Sequence, residues 1–257
     1  MNKQDQIDKF TKILFKIGKD DLTNFKKNIK TLIIEESDFQ NRPIDNAGSY
    51  NEKENKIYLR DLFSHDIIYH ELFHLASTRI VDNITYSGIS ISSLDYKHNI
   101  GLNEGYTQLL TERYFPSEVS YTLSYPYEVV MAHQIETIIG KEEILSLYLT
   151  ADFKSFVLRL EKYLNLGEIK KLINNIDFIH DNLYKNRNVI LLKEKLQEVS
   201  QILLKAYQTK LELSETSNKE DKLKNFVINM DLSMEINNEE YDFYIPNKEP
   251  TPKGGQK

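Results

Sequence analysis

Cysteine is absent from the 257-residue chain, and so is tryptophan. Without cysteine the chain has no disulfide, no thiolate nucleophile and no cysteine-based zinc cluster. Any metal must therefore be bound through His, Asp or Glu side chains. A chain of this length can bury a large core without cross-links, so we expect a globular fold with Tyr and Phe as its aromatic residues.

An excess of positive charge and long apolar runs are missing too. Lys and Arg number 33 against 39 Asp and Glu, which gives a formal net charge of -6. This balance gives no general attraction to phosphate backbones or anionic membranes, so we expect no nucleic-acid and no membrane partner. Neither an apolar signal segment nor a membrane span of about 18 apolar residues is visible. We expect a cytoplasmic protein; export by a route that reads no N-terminal signal stays open.

The spacing of apolar residues predicts a mostly helical chain of the α+β class with a small mixed sheet. Spacings of three and four are typical of helices, and short alternating runs are typical of strands. Strands are expected near residues 31–35 and 56–60, and the segment 82–102 is expected to be irregular with small β pieces. Asn103 is the expected N-cap of the fourth helix. Helices are predicted over residues 3–17, 20–30, 64–80, 104–114, 126–139, 141–149 and 151–164.

The C-terminal third shows two different patterns. Two apolar seams predict a helical hairpin that turns at Asn186–Asn188; a dimerising or partner-binding coiled coil is the alternative. After a polar stretch, alternation from Phe226 to Ile236 and again from Tyr241 to Ile245 predicts a β-hairpin. The expected divisions are a domain at 1–165, a helical hairpin packed on it at 166–213, a linker at 214–224, a β-hairpin at 225–245 and a flexible tail at 246–257.

The segment from His70 to His74 reads H-E-L-F-H and lies inside a predicted helix. Residues four apart lie one helical turn apart on the same face, so both imidazoles can bind one ion. Zinc accepts imidazole nitrogens in tetrahedral geometry. Glu71 flanks this face and can act as general base on a metal-bound water without being a ligand. Two buried histidines without a metal are the disfavoured alternative, because burial without a partner is costly.

A catalytic zinc takes a third protein ligand and leaves one position to water. Ser77 and Ile80 occupy the positions at which a metzincin has Gly and His, so that family is excluded. The segment Gly101-Leu102-Asn103-Glu104-Gly105 instead offers a carboxylate on the next predicted helix. Here the chain resembles the gluzincins, the thermolysin-like and aminopeptidase-like zinc peptidases, whose third ligand is a Glu in an N-E-G or N-E-A context. The other candidates for the third ligand are Asp82, Asp95 and His98.

The resemblance covers about residues 31–115 and implies a zincin-like catalytic domain. It implies one zinc ion on His70, His74 and Glu104, with Glu71 as general base for hydrolysis of peptide bonds. The segment between His74 and Glu104 is longer than the same segment in the best-known gluzincins. The expected partner is a protein or peptide substrate.

The residues that support such a site are also suggested by the resemblance. Gln108 stands where thermolysin-like enzymes have an Asp that accepts a hydrogen bond from a zinc-bound histidine, and Thr107 is its neighbour on the same side of the helix. Family members use a Tyr or His after the third ligand to stabilise the oxyanion. Tyr125 is our choice for this catalytic role, and core packing is the alternative for it and for the other candidates, Tyr121, Tyr127 and His133.

Substrates of this family lie extended along an edge strand, for which 47–50 and 57–59 are the candidates. The G-x-M-E-N run of the aminopeptidases is absent from this part of the chain, which favours an endopeptidase. A second class of function is a zinc-stabilised interaction or regulatory module that cleaves nothing. Retention of Glu71 favours catalysis, because a structural site has no use for a free carboxylate. His65 and His180 receive no role.

Overall fold

Helices and two small sheets form an α+β fold in the computed structural model, which describes residues 2–19, 21–36, 48–59, 64–116, 125–183 and 189–227. The predicted fold class is confirmed at this level. None of the described helices combines the length and apolar character that a membrane crossing needs. The helices are α1 (Lys3–Ile17), α2 (Thr23–Asn28), α3 (Ser64–Ala76), α4 (Ile100–Tyr114), α5 (Pro126–Ile139), α6 (Lys141–Thr150), α7 (Phe153–Leu160), α8 (Leu166–Leu183) and α9 (Val189–Leu213).

The first sheet has three strands, β1 (Ile33–Glu36), β2 (Gly48–Asn51) and β3 (Lys56–Leu59), in the order β1-β3-β2. β1 runs parallel to β3, whereas β2 runs antiparallel to it. The sheet is therefore mixed, as predicted, and β2 is an edge strand of its described part. Ile57 and Leu59 of β3 are buried, in agreement with the alternation that predicted this strand.

The second sheet is antiparallel and contains β4 (Thr78–Val81), β5 (Ile84–Ser87), β6 (Ser90–Ser92) and β7 (Lys97–His98) in chain order. The segment 82–102 contains the small β pieces that were predicted, but their pairing with β4 into one sheet was not predicted. Its strands are very short and rich in Ser and Thr, so they lack the apolar alternation that marks a strand. Asp82 and Asn83 connect β4 to β5 with φ angles of 51° and 62°, the left-handed backbone of a two-residue hairpin turn.

Helix α3 ends at Ala76, so the prediction that it continues to residue 80 was wrong. The Ser77 hydroxyl donates to the carbonyl of Phe73 at 2.9 Å. The Thr78 hydroxyl donates to the carbonyl of His74 at 2.7 Å. The backbone N–H of Ser77 also bonds to both carbonyls, at 3.1 and 3.2 Å. Together these bonds close the end of the helix, and the chain turns into β4.

Helix α4 begins earlier than predicted, because its N-terminus is capped from another helix. The Asp177 carboxylate of α8 accepts the backbone N–H groups of Asn99, at 2.7 Å, and Gly101, at 3.0 Å. Asn103 therefore lies inside α4 and is not its N-cap. Its side-chain oxygen instead accepts the N–H of Ile89 at 3.1 Å, which ties α4 to the second sheet.

The predicted helical pair is present as α8 and α9, which pack against each other. α8 also contacts α4, and α9 contacts α5. The buried side chains of both helices belong to the same hydrophobic cluster as those of α1 and α3. The pair of α8 and α9 thus supports the elements that carry the H-E-x-x-H and N-E-G motifs. Its predicted turn at 186–188 lies outside the described residues.

The end of the chain differs from the prediction wherever it is described. Residues 219–227 are helical, so the linker is shorter than predicted and residues 225–227 do not begin a strand. This backbone packs Phe226 against Tyr207 of α9, with ring centroids 4.2 Å apart and nearly parallel planes. Burial of Phe226 explains why this segment joins the helical core. The rest of the predicted β-hairpin and the tail at 246–257 lie outside the described residues.

Candidate metal centre and active site

Helices α3 and α4 bring together His70, His74 and Glu104, which we call the metal triad. The Nε2 atoms of the two histidines are 3.0 Å apart. The Oε2 atom of Glu104 lies 3.1 Å from Nε2 of His70 and 3.3 Å from Nε2 of His74. No other group of three metal-binding side chains occurs among the described residues. The three predicted ligands therefore converge on one point.

The triad fits a tetrahedral metal ion. Bonds of about 2.0–2.1 Å to zinc place neighbouring ligand atoms about 3.3 Å apart. The observed separations of 3.0, 3.1 and 3.3 Å are close to that value. Two imidazole nitrogens and one carboxylate oxygen are donors that suit a borderline divalent ion. The buried triad can therefore bind one metal ion.

Gln108 orients the first ligand. Its amide nitrogen donates to Oε1 of Glu112 at 3.0 Å, which turns its amide oxygen towards His70. That oxygen lies 3.1 Å from Nδ1 of His70, so the predicted contact is confirmed. Nδ1 must carry the hydrogen, which leaves the lone pair of Nε2 directed at the metal position. Thr107, the neighbouring candidate, bonds elsewhere, to the carbonyl of Asn103 and to a tyrosine hydroxyl.

The triad shifts the proton affinities of its members in opposite directions. Burial lowers the pKa of His74, but the charge of Glu104 and the hydrogen bond to it outweigh burial and raise the pKa to about 9. Burial raises the pKa of Glu104, but the two histidines outweigh this effect and hold the pKa well below its usual range. The triad thus retains a proton on an imidazole, and a metal ion must displace it.

Glu71 lies beside the triad without belonging to it. Burial raises the pKa of its carboxyl, and the attraction to His70 and His74 only partly offsets this effect. The backbone N–H of Tyr50 in β2 hydrogen bonds to the carboxylate. β2 can come this close because its first residue is Gly48, where a Cβ atom would lie 2.3 Å from the Ile67 side chain. A buried carboxylate with a raised pKa is suited to proton transfer.

A cleft with a volume of about 260 Å³ opens above these residues. Glu71, His74 and Glu104 line it from below, and the residues Gly48 to Tyr50 of β2 form one wall. Ser87, Ser90 and Ser92 of the second sheet also line the cleft. Of the two predicted edge strands, β2 lies at both the sheet edge and the cleft, whereas β3 lies between its neighbours.

Tyr125 also lines the cleft, at the N-terminus of α5. Its ring stacks on His70, with centroids 5.6 Å apart and an angle of 21° between the planes. Tyr127 is buried in the core, and His133 is exposed and does not line the cleft. Tyr121 lies outside the described residues. Of the candidates for the oxyanion role that the structure describes, only Tyr125 lies at the cleft.

The rival third ligands lie away from the triad. Asp82 is exposed in the turn between β4 and β5, and Asp95 is exposed between β6 and β7. His98 is exposed and stacks on Tyr96. None of the three joins the triad.

Sequence reasoning missed a second His–Glu group, which consists of the partly buried His180 and the buried Glu128. The His180 ring lies 5.7 Å from the Tyr125 ring, so Tyr125 sits between two imidazoles. Nδ1 of His180 lies 3.1 Å from Oε1 of Glu128, whose carboxylate is fully buried. Burial lowers the pKa of His180, but Glu128 outweighs this effect and raises it. The two residues are 52 positions apart on different helices, so no local spacing could have linked them.

The glycine that follows Glu104 has a packing role. A Cβ atom at Gly105 would lie 2.2 Å from the backbone oxygen of Glu128. Gly105 therefore allows α4 and α5 to approach closely, which brings Tyr125 and Glu128 beside the triad. The N-E-G segment thus supplies a link to the second sheet, a triad member and a helix contact in three successive residues.

Comparisons with family models, curated proteins and solved structures gave no match to this chain. The functional interpretation therefore rests on the geometry and chemistry of the site. Its strongest features are the triad and the separate buried carboxylate of Glu71.

Proposed function

We propose that the protein is a zinc-dependent endopeptidase with a zincin-like site of the gluzincin type. His70, His74 and Glu104 hold the zinc ion, and Glu71 is the general base. One observation carries this proposal: the ligand atoms of the triad have the separations of a tetrahedral site, and a buried carboxylate lies beside them without being a ligand. A structural zinc site normally uses four protein ligands and needs no free base.

Bound zinc would supply a Lewis acid for the peptide carbonyl and would lower the pKa of a water molecule. Glu71 accepts a proton from this water during attack and returns it to the leaving amine. Its raised pKa makes it a stronger base than an ordinary carboxylate. Tyr125 donates a hydrogen bond to the carbonyl oxygen as negative charge develops there. Packing of its ring between two imidazoles orients this donor.

The substrate lies extended in the cleft and pairs with the edge of β2. Backbone pairing with a strand binds an extended peptide without selecting a side chain. Gly48 keeps this strand close to Glu71, so a paired peptide bond passes the base. The amine-binding run of the aminopeptidases is missing from this strand, and cleavage is therefore expected inside peptides.

The test is a cleavage assay on a library of peptides from a digested proteome. New internal termini, identified by mass spectrometry, should appear with the zinc-loaded protein. They should disappear after a chelator removes the metal and return when one equivalent of zinc is added. Zinc binding without cleavage of any peptide would contradict the proposal and favour a zinc-stabilised interaction module.

A further inference from the structure

We propose that Lys97 is a specificity-determining residue of the cleft, which selects peptides with an Asp or Glu side chain near the scissile bond. This inference deepens the proposed peptidase function and rests on it. Lys97 lies in β7, in the second sheet, outside the triad and its supporting residues.

The register of the second sheet determines which side chains accompany Lys97. Directly opposite residues of antiparallel strands project from the same face. Lys97 is opposite Ser92, and Ser92 is opposite Thr85. Ser90, two residues before Ser92 in β6, is opposite Ser87. Lys97 therefore ends a face that carries hydroxyl groups on β5 and β6, and we call this part of the sheet the hydroxyl face. Ile80 of β4, which is opposite Thr85, lies beyond its other end.

The other face of the sheet carries different chemistry. Arg79 of β4 stacks over the ring of Tyr86, with its guanidinium carbon 4.4 Å from the ring centroid. Ile91 and His98 share this face by register. The alternation of the strands thus separates Lys97 from the other basic side chains of the sheet.

The hydroxyl face forms a wall of the cleft. Ser87, Ser90, Ser92 and Lys97 line the cleft, and so do β2 and Glu52. A peptide that pairs with β2 therefore shares the cleft with this wall. The wall has no large apolar side chain, so it suits a polar side chain of the substrate.

Lys97 is the group on this wall that can recognise charge. Among the described residues it is the one Lys or Arg that lines the cleft, and none of them forms an ion pair with it. The hydroxyls of Ser87 and Ser90 are already engaged within the sheet, by Thr78 and by the carbonyl of Ser87. A carboxylate of the substrate could therefore bind the Lys97 ammonium group without breaking an existing ion pair among the described residues.

A carboxylate is the functional group that best fits this arrangement. One ammonium group matches one negative charge, whereas a phosphate is usually bound by several donors or by the fork of an arginine. A carboxylate can come from an acidic side chain or from the C-terminus of a peptide. The side chain is favoured because cleavage is expected inside peptides, where no terminus lies nearby.

The expected preference is modest because Lys97 is exposed. An ion pair at an exposed site changes binding by about twofold to fivefold. We therefore expect Glu over Gln, and Asp over Asn, by about this factor at one position of the cleaved peptides. The preference should weaken as the salt concentration rises, because salt screens exposed charges.

The test compares wild type, Lys97→Glu and Lys53→Glu on three peptide pools, which contain Asp and Glu, the neutral Asn and Gln, or Lys and Arg. Lys53 is exposed in the turn after β2 and does not line the cleft, so Lys53→Glu makes the same charge change as a control. Wild type and Lys53→Glu should prefer acidic pools. Lys97→Glu should lose this preference and favour Lys or Arg at the same position. An unchanged acidic preference in Lys97→Glu would overturn the inference.

Two further arms identify the source of the carboxylate and separate this inference from the peptidase proposal. Acidic preference should persist with C-terminally amidated pools; its loss would overturn the assignment to a side chain. Binding of the same pools to zinc-loaded Glu71→Gln, with and without Lys97→Glu, is measured by fluorescence anisotropy. Tighter binding of acidic pools that depends on Lys97, without cleavage by wild type, would overturn only the peptidase proposal. Equal binding of acidic and neutral pools would overturn the Lys97 inference.

Discussion

Two neighbouring groups of side chains use the same kinds of residue in different ways. On the side of α3 and α4, the triad directs three ligand atoms at one point, with separations of 3.0 to 3.3 Å. On the side of α5 and α8, His180 and Glu128 satisfy each other, and Tyr125 packs against His180. The first arrangement leaves room for an ion, whereas the second leaves a phenol fixed beside it. Changes on the first side should therefore remove metal, and changes on the second should reduce rate while metal stays.

The largest effect is expected from the triad. His70→Ala, His74→Ala and Glu104→Ala should each abolish stoichiometric zinc binding and peptide cleavage, because a site with three protein ligands loses one of them. Zinc content per protein, measured by plasma mass spectrometry after dialysis, checks this result. Asp82→Ala, Asp95→Ala and His98→Ala are the controls and should keep one equivalent. Zinc that follows a control residue instead of Glu104 would show that the triad is not the metal site.

The next effect is expected from Tyr125 and from His180, which supports its ring. Tyr125→Phe keeps the ring but removes the hydroxyl, so zinc content should stay the same while turnover falls by about a hundredfold to a thousandfold. His180→Ala should lower turnover less, because it removes support for the ring and leaves the hydroxyl. Steady-state rates and zinc content from the same samples decide the outcome. Loss of zinc from Tyr125→Phe would mean that the two sides do not have separate roles.

A smaller effect is expected from Gln108, which orients His70 of the triad. Gln108→Ala removes the acceptor at Nδ1 of His70 and should weaken zinc affinity by about tenfold to a hundredfold. A competition titration with a fluorescent zinc chelator measures this change. Gln108→Glu retains an acceptor oxygen and should keep more of the affinity. Equal affinities for wild type and Gln108→Ala would exclude an orienting role for this amide.

The smallest effect should be on stability. Asp177→Ala removes the cap of α4 and should lower the free energy of unfolding by about 1 kcal/mol, which corresponds to a melting temperature about 2–4 °C lower. Asp177→Asn keeps an acceptor oxygen and should lose less. Thermal unfolding followed by circular dichroism measures both variants. An unchanged melting temperature for Asp177→Ala would mean that the N-terminus of α4 is held by other contacts.

The triad could be predicted because its information is local. Two ligands lie four residues apart on one helix, and the third lies in a short motif on the next long helix. The choice of Tyr125 rested on its place after Glu104, and the structure puts it on the cleft. The pairing of His70 with His74 depends on helical periodicity, which a sequence displays directly. Glu104 and Tyr125 were chosen through the resemblance to the gluzincins.

The features that escaped prediction depend on distant parts of the chain or on weak patterns. The start of α4 is set by Asp177, which lies 76 residues beyond Gly101. The pair of His180 and Glu128 is formed by two helices that meet only in the folded protein. The second sheet has strands of two to four residues with hydroxyl side chains, so its alternation is not apolar. Phe226 begins an alternating run, yet packing against α9 places it in a helix.

The most direct test of the central claim compares wild type with Glu71→Gln, each loaded with zinc. The amide has the shape of the carboxylate but accepts no proton, and Glu71 is not a member of the triad. We predict one equivalent of zinc in both proteins, the same melting temperature within error, and a turnover of Glu71→Gln about a hundredfold to ten-thousandfold lower. Equal turnover by the two proteins at equal zinc content would contradict the account.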